Sequence, residues 1–357
     1  MQQTDRFFIA AVEERLTDYD FMQLQEAINA IFPQDAPDFK EIVSQMLQGN
    51  MDASIKTVFS ALWQTCAGEL IAGRRAMLLI LGIGIMAAVF YNISLAFQNR
   101  QIADTGFFVT YLAFLSITAL AFAQSCQIAS ELLENLEMFM KALVPAFFLA
   151  VSMSVGSTSA IGFYRVMLVL ISLADTLLLK LILPVIKLST VLMLVNYITK
   201  EEMLSRLAKL FQTVISWSLK GVLTVIIAVN TMQGLVLPSI DNMKLSVLQK
   251  SVSMLPGIGN SAEAVAGLVA QSGQMIKNGI GAAALFVIGA MTVIPIMKLG
   301  GLILMYQLTC AMLQPISDKR MVEALSAVAA GCRYLLQLAA TAGILYLVTI
   351  AVVCAVT

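Results

Sequence analysis

The sequence predicts an all-α, polytopic helical membrane protein, and three observations carry that prediction. Hydrophobic residues make up 59% of the 357-residue chain and charged residues only 12%, with a mean hydropathy of +0.86; a soluble domain is nearer half apolar and a quarter charged. Several segments approach the roughly 20 apolar residues that a bilayer crossing needs. One proline-centred pattern also occurs twice. Leu183-Pro184-Val185-Ile186-Lys187-Leu188 returns 111 residues later as Ile294-Pro295-Ile296-Met297-Lys298-Leu299, and Pro145 and Pro256 keep the same 111-residue offset. Two copies of one membrane unit are therefore expected, at 140–238 and 251–357, joined by a linker at 239–250.

Net charge is zero, but unevenly spread. Residues 1–70 carry 11 acidic and 4 basic side chains, and the remainder carry 11 acidic and 18 basic. The reading is an acidic amphipathic helical domain (1–70) ahead of a basic membrane domain that opens with two spans and a link (71–139). No basic stripe interleaved with aromatics occurs, so no nucleic-acid partner is expected. The chain has no histidine, which removes the commonest general base and metal ligand. Cys66, Cys126, Cys310, Cys332 and Cys354 never fall in a C-x-x-C spacing, and four of them sit in or beside apolar runs, where a thiol packs as a small hydrophobe. No metal or cofactor is expected. Met1 to Ala11 lacks a basic region followed by an apolar core, so the first long span is expected to direct insertion.

Taken in order, residues 18–66 predict three short helices. Phe21, Leu24, Ile28 and Ile31 share one face, Phe39, Ile42, Val43, Met46 and Leu47 the next, and Ile55, Val58, Phe59, Leu62 and Trp63 the third, each at helical spacing. Pro33 and Gly49-Asn50 separate them. Mutual packing is the expected use of these faces, although fifty residues make a thin core. Ala76 to Phe97 reads as the first span and Thr105 to Cys126 as the second, with a turn around Asn99 to Asp104. A link with Glu131, Glu134 and Glu137 on one wet face follows. Pro145 to Met153 is apolar but short, and Ser154 to Ala160 is small and polar. The counterpart, Pro256 to Lys277, is too polar to face lipid and is expected to be re-entrant, protein-enclosed or interfacial. Ile161 to Ile198 would span about 57 Å as one helix; it is expected to break or fold back at Pro184, as Gly279 to Leu313 is at Pro295. Glu201 to Phe211 reads as a basic interfacial helix. Phe211 to Leu237 and Cys332 to Val356 close the two units. If all four elements of a unit cross, the two basic junctions share a side and the repeats are parallel. If the polar segment only dips, three passes separate them and the repeats are inverted. Inverted repeats are the expectation, with the two elements broken at Pro184 and Pro295 meeting near the midplane and Pro145 and Pro256 as further helix breaks.

Six polar residues inside apolar runs are candidates for a pathway or a buried site: Asp175, Lys180, Lys187, Lys220, Asn230 and Lys298. Charges there cost about 2.5–3.5 kcal/mol on insertion scales and normally face a bundle interior or water. A lysine can also snorkel, and for Lys187 and Lys298, each just after a proline, the two readings weigh equally. Asp175 is too short to snorkel far, which favours a polar, protein-enclosed place. No catalytic residue is identified: the Gly82 and Gly257 Gly-x-Gly fragments lack strand context, and no Walker lysine or Ser/His pair accompanies them.

Ile31-Phe32-Pro33-Gln34-Asp35-Ala36-Pro37-Asp38-Phe39-Lys40-Glu41, with Gln48-Gly49-Asn50-Met51-Asp52, resembles the amino-terminal region of the stage III sporulation protein AE family. Lys141-Ala142-Leu143-Val144-Pro145-Ala146-Phe147 and Met312-Leu313-Gln314-Pro315-Ile316-Ser317-Asp318 extend the resemblance along nearly the whole chain. That resemblance implies a multi-pass membrane protein of endospore-forming bacteria, placed in the mother-cell membrane that surrounds the forespore. It further implies a subunit of the mother cell–forespore channel complex, with ring-forming partners, a forespore-side protein and a cytoplasmic ATPase. The missing nucleotide motif and absent histidines lead us to expect that this subunit is non-enzymatic, and an oligomer is expected. Two other classes are weighed beside it: a secondary transporter rocking one repeat against the other, and a scaffold that only assembles partners.

Overall fold

The computed structural model of the chain describes residues 22–31, 38–47, 78–86, 89, 100–155, 157–197, 204–252 and 259–356. The predicted third amphipathic helix, most of the first span and Pro256 lie outside these residues. Among the described residues the fold is helical, without a strand: α1 (Met22–Ile31), α2 (Phe39–Leu47), α3 (Arg100–Val155), α4 (Ser157–Ala174), a π-helical segment (Asp175–Ile182), α5 (Leu183–Asn196), α6 (Ser205–Val252), α7 (Gly259–Leu313) and α8 (Lys319–Val356). Among the described residues, five stretches are long and apolar enough to cross a membrane: Phe108–Phe148, Met167–Asn196, Ser205–Val229, Gln274–Leu313 and Lys319–Cys354.

The helices run longer than the sequence predicts. α3 continues for 56 residues through the expected turn after Asn99, the acidic link and Pro145. Pairs four residues apart brace its polar stretch, with Gln127 Nε2 donating to Glu131 at 2.8 Å, Ser130 Oγ to Glu134 at 3.0 Å, and Lys141 pairing with Glu137; such pairs stabilise the helix they lie on. α7 runs 55 residues through Pro295 and takes in Gly259 to Lys277, which is therefore no separate dipping element. α6 continues through 239–250, the expected linker. A proline inside a helix costs about 3 kcal/mol, and the packing of long apolar faces on either side outweighs it.

Pro184 is accommodated differently. The chain neither folds back nor stops there, because the preceding turns widen into the π-helical segment. The Leu183 N–H donates to the Leu178 carbonyl, five residues back, and Pro184 falls in the first turn of α5. The widened turns relieve the clash that a proline ring makes with the carbonyl four residues back in a regular α-helix.

α8 is the centre of the bundle and packs on α7, α3, α6 and α5. Small residues give it that place: Ala324, Ala329, Ala339 and Ala342 are buried, and neighbouring backbones approach closely over such positions. At Gly331 an added methyl would collide with Thr190 and Phe122, and at Gly343 with Thr292. α1 and α2 join the same core rather than forming a separate one. Leu24, Ile28, Phe39, Ile42 and Val43 are buried with it, and Phe39 meets Phe139 edge-on at 6.2 Å. Asp38 caps α2 through the Lys40 N–H at 2.9 Å, and Gln25 accepts the Phe39 N–H at 2.9 Å.

Three contacts fix the direction of the helices. Tyr111 donates to the Tyr197 carbonyl at 2.7 Å, and the Arg320 guanidinium sits 5.7 Å from the Tyr111 ring centroid. The junction after α5 and the junction before α8 therefore lie at one end of the bundle, beside the start of α3. Lys277 Nζ donates to the Cys354 carbonyl at 3.2 Å at the other end. The expectation of inverted repeats fails on this geometry. Only α6 and α7 separate the two junctions, because the polar segment after Pro256 merges with the run that follows it, and two passes return the chain to its starting side.

Candidate functional site

Among the described residues, the π-helical segment builds a mixed-charge cluster that involves residues predicted from the sequence. In a π-helix the hydrogen-bonded partners are five residues apart, so side chains at i and i+5 come to one face. Asp175 and Lys180 have that spacing, and Lys180 Nζ lies 2.6 Å from Asp175 Oδ2. An α-helix would hold the two well apart around its axis. The Asp175 side chain is only 8% exposed, whereas Lys180 is 65% exposed and reaches outward. Glu137 and Lys141 of α3 adjoin this pair, and the buried Tyr346 of α8 faces both carboxylates. Two carboxylates and two lysines thus neutralise one another where three elements meet. A lone charge in an apolar bundle would be costly, and pairing lowers that cost.

The other predicted residues are dispersed. Lys187 is exposed on α5. Lys220 is exposed on α6, and Lys298 is half-buried on α7. The Asn230 side chain lies outside the described residues. Pro145 and Pro295 sit inside continuous helices rather than at breaks.

Sequence reasoning passed over Lys277, whose side chain is enclosed by the bundle at 1% exposure. Its ammonium group caps the end of α8, where the last four carbonyls of a helix have no intrahelical donor and the dipole favours a cation. A lysine standing just before the apolar run 279–297 was the available signal. Glu137 and Lys141 were also missed as site residues, because acids at spacing three look like a wet helix face when their neighbours are unknown. Tyr306, donating to the Ala121 carbonyl at 3.2 Å, ties α7 to α3 in the same manner as Tyr111 ties α3 to α5. Among the described residues no group of three or more Cys, Asp or Glu side chains could hold a metal ion.

Comparison with known proteins places these features in a lineage. A family model described as Stage III sporulation protein AE matches residues 37–357. The chain is 21% identical over 315 residues to the Stage III sporulation protein AE of Bacillus subtilis (strain 168), an alignment covering 88% of this chain and 79% of that protein. No solved structure matches.

Proposed function

The chain belongs to the Stage III sporulation protein AE family, and from that membership we propose that it is a non-enzymatic integral membrane subunit of the channel complex joining mother cell and forespore. The observation that carries this reading is the family match extending over all five candidate spans. In this role the bundle resides in the mother-cell membrane around the forespore and contributes to the transmembrane passage. Ring-forming subunits and a cytoplasmic ATPase assemble on it, the latter supplying the energy. The polar ends of the bundle suit such docking, since Arg206, Lys209, Lys319 and Arg320 gather near one end, and basic residues of that kind favour the cytoplasmic side.

A rocking transporter has less support. Its sequence feature was a pair of helices broken at Pro184 and Pro295, whereas Pro295 lies inside one continuous helix and the chain runs on through Pro184 by way of the π-helical segment.

The test is depletion of the chain in its sporulating host with a fluorescent copy supplied in trans. Expected are arrest of late forespore gene expression without the chain, rescue by the copy, and its enrichment in the membrane around the forespore. Normal spore formation in its absence would overturn the proposal.

A further inference from the structure

Helix α6 has three faces, and their separation says what each one meets. At 3.6 residues per turn, Ala208, Ile215, Leu219, Val222 and Ile226 occupy an arc of about 60°, and all five are buried against the bundle. A second arc of about 80° holds Leu207, Leu210, Val214, Trp217 and Val225; these are exposed, Trp217 at 78%. A third arc, also about 80°, holds Arg206, Lys209, Thr213, Lys220, Thr224 and Thr231, all exposed as well. Half-buried Ser216 shares this arc, and Ile227 is its one apolar side chain.

Two exposed faces of one helix thus differ in polarity, Ile227 apart. Lipid on both sides would give no reason for that segregation. The hydroxyls alone are compatible with lipid, because Thr213, Thr224 and Thr231 each donate to the carbonyl four residues back at 2.8–3.0 Å. The cations are not. Lys220 stands about 22 Å along the helix from Ser205 and about 14 Å from Val229, well inside an apolar span, where a charge is expensive unless water or a partner receives it. No Asp or Glu occurs between Ser205 and Val229, so the arc is wholly cationic.

We propose that this arc of α6 lines a water-filled passage for anions, with Arg206 and Lys209 at one mouth and Lys220 within. The proposal rests on the channel reading above and deepens it by assigning the lining helix and the class of solute. One chain presents one such arc, so the passage closes where arcs of several copies of this chain face one another. A lining of one charge sign raises the local concentration of the opposite ion and selects for it.

The test reconstitutes the full chain in vesicles with single cysteines at Thr213 and Thr224, and with controls at Val214 and Val225, which share their depths. The unaltered chain gives the baseline for its own five cysteines, of which Cys126 and Cys332 are buried, Cys310 and Cys354 are half-buried, and Cys66 lies outside the described residues. A negatively charged, water-soluble thiol reagent should modify T213C and T224C and spare V214C and V225C. It should react faster than a positively charged analogue by about tenfold or more, a preference that Lys220→Gln should weaken at T224C, beside Lys220, more than at T213C, beside Lys209. Chloride efflux is measured on the same vesicles. Efflux with no labelling of T213C and T224C, or with equal labelling of both faces, overturns the arc assignment and leaves the channel reading standing. Labelling of the arc without efflux overturns the channel reading and the passage with it.

Discussion

Replacing Gly331 by alanine tests how α8 comes to hold the centre of the bundle. The new methyl would meet Thr190 Oγ1, with Phe122 Cε2 at 2.8 Å and Thr190 Cγ2 at 2.9 Å. Neither neighbour has room to withdraw: the Thr190 hydroxyl donates to the Ile186 carbonyl at 3.0 Å, and both residues are buried. Overpacking of this kind costs about 1–3 kcal/mol. Alanine also favours a helix over glycine by about 1 kcal/mol, which sets the net loss at roughly 0–2 kcal/mol. Gly289 in α7 isolates the second effect, because an added methyl there finds nothing within 4 Å. Gly289→Ala should therefore stabilise the protein by about 1 kcal/mol, leaving a gap of about 1–3 kcal/mol between two chemically identical changes. Thr190→Ala removes two of the three colliding atoms, so the double variant Thr190→Ala/Gly331→Ala should recover part of the loss and show non-additivity. Reversible denaturant titration in micelles, followed by circular dichroism, measures all four. Equal shifts for Gly331→Ala and Gly289→Ala, or strict additivity of the double variant, would refute the close approach of α8 to α3 and α5.

The remaining predictions follow the same geometry. Single cysteines at Arg206 and Lys319 should react with an impermeant reagent from the same side of the membrane; reaction from opposite sides would restore the inverted arrangement. Pro145→Ala should raise stability by up to about 3 kcal/mol, because α3 is continuous there and would regain a hydrogen bond; a loss of stability would mean that the ring is needed for a bend. Lys277→Met should release the last turn of α8, detected as faster amide exchange near Cys354, while Lys277→Arg should retain protection. Asp175→Leu should impair sporulation while membrane insertion stays intact, and wild-type sporulation by that variant would reduce the ion-pair cluster to a packing feature.

The sequence by itself determined the class of the molecule. Composition and apolar run length are sums over many residues, and no packing detail can reverse them. Helical spacing likewise identified the buried faces of α1 and α2, where Leu24, Ile28, Phe39, Ile42 and Val43 all enter the core. What covers those faces was not legible, since a stripe of apolar residues does not name its partner; α3 and α7 supply it. The tertiary structure decided where helices end. Prolines and acidic stretches are local disfavours of a few kcal/mol, and they yield when both flanks are held by long packed faces, as along α3 and α7. It also decided which charges meet. Asp175 and Lys180 are five apart, a spacing that pairs them only in the widened turns before Pro184, and Glu137 is 38 positions from Asp175 in the chain. The side on which each junction lies depends on whether the number of intervening passes is odd or even. Hydropathy leaves that number ambiguous when one polar segment can either dip or cross, and the contacts of Tyr111 with Tyr197 and Arg320 resolve it.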